Sequence, residues 1–317
     1  MATEILVGTA AMGGFQAPAS YKVGYINPDL ALMRFRQFAQ VTMLGKGKGL
    51  VHSIRKWSDF ASAGGSIAET ATMPLGTQTV STATIAISEY GQAITFSQLA
   101  ALTMDADPAQ IAGDLSARDA RLSLEKAAHL AMCGTSHALS GCLVKYVGTA
   151  TAGGVTTVDG SATVTNTSAL NKYHWSSIRD YLVGTLYAEP FDNVGNYAGI
   201  LSVKAARNIK DDSSFESIRM YADPGSFLSG ELGKLDGIRV VESVYNMDNS
   251  IGNGALSGEA IFFGAEPLYE VVVQPEQTVY QLTDYGRVQG LGWYYVGGFK
   301  CNQVGSYGRL VHWTSKA

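Results

Sequence analysis

VSTATIAISEYGQAITFS, residues 80–97, changes its buried face partway along. From Ala83 to Ile87 the apolar side chains fall on odd positions: Ala83, Ile85 and Ile87. From Tyr90 to Phe96 they fall on even ones: Tyr90, Ile94 and Phe96. Strand side chains alternate faces with period two, so the buried side has switched. The switch falls at Ser88-Glu89-Tyr90-Gly91, where Gly91 suits a bulge or local twist.

The residues upstream explain why this matters. Met73-Pro74-Leu75-Gly76 is a turn signal, and Thr, Val and Ile then dominate to Ile87. No Lys or Arg occurs between Lys56 and Arg118. The region reads as a long hairpin-like excursion with few apolar residues of its own. A lone two-stranded hairpin is marginal in water and exposes its edges, so this one is expected to lie on something else.

Further along, Asp107-Pro108 is a helix start, cap then Pro, and Gly134 is a stop. A helix of about 25 residues spans roughly 37 Å, a strut more than a core helix. Ile111, Leu115, Leu122 and Leu130 are its expected apolar stripe, and Asp114–Arg118 and Arg121–Glu125 its ion pairs. Residues 1–27 read as an extended arm, and Asn27-Pro28 as the start of a helix over 28–43 carrying Leu32, Phe35, Phe38 and Ala39. VTTVDGSATVT (155–165) reads as a hairpin turning at Asp159-Gly160. A helix is expected over 170–187, with Trp175, Ile178, Leu182 and Leu186 on one face. Strands are expected at 197–203, 237–244 and 260–265, with a short helix after the first and a β-rich, aromatic stretch over 291–315.

Composition sets outer limits. The chain has 317 residues, 46% of them hydrophobic and only 16% charged, which suits extensive surface buried against partners. A net charge of −4 argues against a dedicated nucleic-acid-binding domain. Cys133, Cys142 and Cys301 are an odd set without metal spacing, as in a reducing compartment. Neither a signal peptide nor a membrane helix is expected.

Candidate chemistry is sparse. GKGKG (45–49) lacks the phosphate-loop spacing and reads as a basic loop. His129, Cys133 and His137, with Cys142 nearby, could share a helix face, but Gly134 interrupts it, and a buried thiol with ordinary histidines is the better reading. Trp293, Tyr294, Tyr295, Phe299, Tyr307 and Trp313 read as core sheet and subunit contact more than as a base-stacking platform, since few basic residues accompany them. No hydrolase elbow or zinc-protease motif is present. Catalytic, cofactor and metal residues are therefore all expected to be none, and the chain is read as a non-enzyme.

The order of elements is arm, Lys/Arg-free hairpin, long strut, α/β insertion and returning sheet. Together with three stretches, it resembles the major capsid proteins of tailed bacteriophages. The stretches are ISEYGQAITFSQLAALTMDADP (87–108), SGELGKLDGIRVVES (229–243) and YGRVQGLGWYYVGGFK (285–300). They are similar to segments of the coliphage N-four branch. The resemblance implies an α+β, Hong Kong 97-type capsid fold. It divides the chain into an N-terminal arm (1–50), an extended loop (51–100), a peripheral domain (101–168) with its spine helix at 107–133, an axial domain (169–275), and a return to the peripheral domain (276–317).

It also implies a structural subunit that self-assembles as pentamers and hexamers into an icosahedral shell around double-stranded DNA. The expected partners are further copies of the chain, a separate scaffolding protein, a portal and a decoration protein. DNA contact would be weak and non-specific, and no membrane is involved. The place would be the virion capsid, assembled in the host cytoplasm. Tyr90, Gly91, Pro74 and Gly76 are the expected assembly and hinge residues. Odd positions before the switch would face a neighbouring subunit, and Tyr90, Ile94 and Phe96 the subunit's own core. The rival readings are an encapsulin-like compartment of the same fold and a hydrolytic enzyme with a dispersed site in 170–275.

Overall fold

The alternation breaks at Ile87 because the chain changes sheets there. In the computed structural model, residues 34–45, 47–57, 64–104, 107–133, 143–151, 154–159, 170–211, 231–243, 257–302 and 310–316 are described. A single 3-10 turn, Arg36–Phe38, opens them. The strands follow in chain order as β1 (Ala39–Met43), β2 (Val51–Trp57), β3 (Val80–Ala86), β4 (Ser88–Ser97), β5 (Leu143–Thr151), β6 (Gly154–Asp159), β7 (Tyr197–Ser202), β8 (Glu231–Leu235), β9 (Ile238–Ser243), β10 (Ser257–Phe263), β11 (Leu268–Thr283), β12 (Val288–Cys301) and β13 (Leu310–Lys316). The helices are α1 (Gln98–Thr103), α2 (Pro108–Cys133), α3 (Lys172–Asp180), continued by a π-helical turn at Tyr181–Thr185, and α4 (Val203–Lys210).

Among the described residues, β3 pairs only with β2, as a two-stranded sheet. One residue later β4 joins a four-stranded sheet of order β1-β11-β12-β4. Ile85 is buried before the change and Phe96 after it, so the sequence pattern is real. No bulge marks Gly91, since β4 and β12 pair without a break from Ser88↔Gly297 to Ser97↔Val288. The expected bulge is therefore replaced by a change of sheet.

α2 lies across the four-stranded sheet. Its buried stripe is Ala112, Ser116, Ala120, Leu124, Ala128 and Met132, one residue every four, and not the larger residues that the sequence offered. Four of the six are Ala or Ser, with Leu124 and Met132 as the large members, and Leu115 is left exposed on the outside. Glu125 is also turned inward and is not the solvent-side partner of Arg121.

The seven-stranded sheet has the order β6-β5-β13-β10-β7-β9-β8, with β5/β13 and β7/β9 parallel. One face of β7 packs with Trp175, Leu182, Ala205 and Phe262 under α3 and α4. The other packs with Phe35, Met132, Ile261 and Phe263. Both faces are covered, so every residue of YAGILS is buried. Gly199 is required within it, since a side chain there would stand 2.8 Å from the Phe262 ring. α3 starts at a reciprocal cap: Asn171 accepts from the His174 amide, and His174 Nδ1 accepts from the Asn171 amide at 3.0 Å.

Several expectations are corrected. Residues 36–43 form a turn and then β1, not helix, because β1 finds a parallel partner in β11; 28–33 lie outside the described residues. β5 and β6 form a hairpin closed by the Thr151–Gly154 pair, while the hairpin expected at Asp159-Gly160 has its second arm, 160–165, outside the described residues. The 275/276 boundary cuts through β11, and β5, β6 and β13 belong to the seven-stranded sheet. His137, Cys142 and Tyr307 lie outside the described residues.

Candidate assembly joint

The chain enters the described body at Phe35 and Arg36, and both are held by carboxylates from distant segments. Glu125 on α2 accepts from the Phe35 amide at 2.6 Å and from the Arg36 amide at 3.2 Å. The 3-10 turn has no side-chain cap of its own, so α2 supplies one. The Phe35 ring is fully buried and tilts against His129 at 4.8 Å between centroids.

The Arg36 guanidinium reaches β11. It donates to Glu270 from Nη2 at 2.7 Å and from Nε at 3.1 Å, and it pairs with Glu276. Glu270 is 1% exposed and also accepts from the Tyr295 hydroxyl at 3.0 Å. Arg36 stands 5.8 Å over the Tyr295 ring. Burial alone would lower the Arg36 pKa, but the hydrogen bonds and charges of Glu270 and then Glu276 outweigh it and hold it above its ordinary value. Burial first, then the Glu270 carboxylate, push the Tyr295 phenol up, with Arg36 pulling back.

The excursion is rooted three residues further along β12. Ile85 of β3 is 1% exposed and rests on Gly298. A side chain at Gly298 would overlap the Ala86 carbonyl oxygen. The Ile87 amide donates to the Leu50 carbonyl at 2.9 Å and closes the root. Ile85 thus faces its own subunit and not a neighbour, contrary to the expectation for the odd positions.

Of the four expected assembly residues, two meet here. Tyr90 packs against Tyr295 at 6.0 Å between centroids, and burial raises its pKa. Gly91 admits the β12 backbone: a side chain there would stand 2.7 Å from the Trp293 carbonyl oxygen. Pro74 and Gly76 lie in the fully exposed stretch before β3, away from both. Sequence reading missed Arg36, Glu125, Glu270, Glu276 and Gly298. One signal was available: Glu270 sits inside the apolar run Leu268–Val273, and a carboxylate in a buried strand needs a cation or donors.

The joint thus orders backbone and binds chain segments together. Among the described residues, no group of three His, Cys, Asp or Glu side chains could hold a metal ion, and no helix is long and apolar enough to cross a membrane.

No protein-family model matches this chain, and no curated protein matches it. Solved structures do. The capsid of Ralstonia phage GP4 is 10% identical with a TM-score of 0.64, covering 94% of this chain and 98% of that one. The acid-stable capsid of Helicobacter pylori bacteriophage KHP30 is 12% identical at a TM-score of 0.66, with both chains covered in full. The capsid of cyanophage Pam1 is 14% identical at 0.66, covering 95% and 98%. The chain therefore has the mixed helix-and-strand fold of tailed-phage major capsid subunits, over nearly its whole length.

Proposed function

We propose that this chain is a structural major capsid subunit that assembles with copies of itself into a closed shell around double-stranded DNA. The observation that carries the reading is the excursion. Residues 64–79 bury almost nothing in their own chain, with Met73 72% and Leu75 96% exposed. Apolar side chains so exposed on an extended strap need a second surface, and a shell of identical subunits supplies one. The whole-chain likeness to capsid structures supports the same reading.

The finer reading has pentamers and hexamers in an icosahedral lattice, with the α3/α4-covered sheet as axial domain and the α2-covered sheet as peripheral domain. The motifs at 87–108, 229–243 and 285–300 support a place near the coliphage N-four branch. A net charge of −4 suits weak, non-specific contact with packaged DNA, which a strongly basic lining would bind tightly. A scaffolding protein, a portal and a decoration protein complete the proposed set, assembled in the host cytoplasm.

Electron microscopy of the purified chain, alone and co-expressed with its neighbouring head genes, tests this. Closed shells are the expected result. Small discrete oligomers or fibres in both samples would refute it.

A further inference from the structure

β4 is the last strand of its sheet, and β12 pairs with one side of it along its whole length. Among the described residues, no strand lies on its other side. Edge strands are commonly blunted by lysine, proline, a bulge or short length. β4 uses none of these. SEYGQAITFS is 10 residues long, holds neither lysine nor proline, and keeps an unbroken register. Glu89 is its one charge, and Glu89, Gly91, Gln92 and Ala93 are exposed.

One bond fixes which backbone groups face outward. The Gln98 amide donates to the Arg287 carbonyl at 2.7 Å, one step beyond the Ser97↔Val288 pair. Bonded and non-bonded pairs alternate along an antiparallel ladder. Even-numbered residues of β4 therefore turn their N–H and C=O towards β12. Glu89, Gly91 and Ala93 turn theirs to the open edge.

The same three residues line a groove. Tyr90 packs with Leu124 of α2, so odd positions of β4 lie on the opposite face. A groove of about 700 Å³ runs along that face, floored by Gly91, Ala93, Gly290 and Gly292. Val279 and Gln281 of β11 wall it on one side, and Tyr294, whose hydroxyl donates to Glu89, lies at one end. Unclaimed backbone groups and room for large side chains thus share one register. A strand added to β4 would set every second side chain beside Gly91 and Ala93, over the glycine floor.

The groove also selects its occupant. A second copy of β4 would bring only Glu89, Gly91, Ala93, Thr95 and Ser97 to that face, none of them large and apolar. Glu89 calls for a cation, which β4 does not hold. We propose that the β4 edge receives an extended segment of a different protein, added antiparallel, with large apolar residues beside Ala93 and Gly91 and a cation beside Glu89. In chain order that segment reads large, any, large, any, cation. The proposal goes beyond the shell reading and does not rest on it, because the unassembled subunit carries the same edge.

The probe is a fluorescent peptide, Thr-Thr-Phe-Thr-Phe-Thr-Lys, titrated by anisotropy against unassembled subunits and against closed shells. Both should bind it. Methylating the backbone nitrogen of either Phe removes a hydrogen bond to β4 and should weaken binding about tenfold. Methylating the Thr between them, whose N–H points away, should change it less than about twofold. Glu89→Lys should reverse the preference between this peptide and one ending in Glu. No binding to subunits, or equal loss from all three methylations, would overturn the proposal. So would an unchanged preference in Glu89→Lys. Binding to subunits but not to closed shells would give the edge to a neighbouring copy and overturn it too. If no shells form, the shell reading fails and the subunit titrations alone decide.

Discussion

Removing the Glu125 carboxylate should free the arm root while leaving the rest of the subunit folded. Glu125 is 3% exposed and accepts from two backbone amides, those of Phe35 and Arg36. A hydrogen bond to a charged group contributes about 1.5–3 kcal/mol, and a buried donor left unpaired costs about 1–3 kcal/mol. In Glu125→Ala both amides lose their acceptor, the Phe35 amide inside the body and the Arg36 amide nearer to solvent. The local loss should be about 2–4 kcal/mol. At about 1.4 kcal/mol per factor of ten, amide exchange in the arm root should accelerate about 30- to 700-fold. Glu125→Gln keeps one carbonyl oxygen and should fall between the variant and the wild type. Hydrogen-exchange mass spectrometry on unassembled protein, following a peptide over 34–44 against one over 110–133, gives both numbers at once. Unchanged exchange over 34–44 in Glu125→Ala, with the helix peptide still protected, would refute the reasoning. So would Glu125→Gln exchanging as fast as Glu125→Ala.

Other perturbations test other parts of the joint. The fold holds the Tyr295 phenol protonated, so its contribution is intact below about pH 10 and is lost as pH rises beyond that. From pH 9 to 11.5 the wild type should therefore lose stability more steeply than Tyr295→Phe, and parallel urea-unfolding curves would exclude this. Gly298→Val would collide with Ala86 and lift the excursion from its root, so limited proteolysis within 50–87 should quicken at least tenfold with α2 intact; unchanged cleavage would count against that contact. Tyr90→Ala and Gly91→Val should reduce shell yield more than subunit solubility, because one loosens the Tyr295 packing and the other strikes the Trp293 carbonyl; normal shell yield from both would sink the idea. The strap between β2 and β3, residues 58–79, holds no Lys to form a covalent link, so shells should fall to single chains in boiling detergent, and a ladder of linked multimers would be decisive against it.

What the sequence made legible follows from the range of the forces involved. α2 was readable because Asp107 acts on the Ala109 amide two residues on, and α3 because Trp175, Ile178 and Leu182 recur on one buried face. The change of buried face was readable at Ile85 and Phe96 because period two is a local property. Its cause was not, because a bulge and a change of sheet leave the same trace in one sequence and differ only in which strand comes alongside. The helix expected over 28–43 failed for the same reason. Phe35 and Phe38 do pack inward, but β1 is a strand only because β11 lies 229 positions away in register with it. The polar joint is the extreme case. Arg36 and Glu270 are 234 residues apart, and neither residue type signals a partner at that distance. Only Glu270 could have raised the question, as one carboxylate in an apolar run. The answer is geometric: β12 brings Tyr295 under Arg36 and Gly298 under Ile85, so arm root and loop root rest on one strand three residues apart.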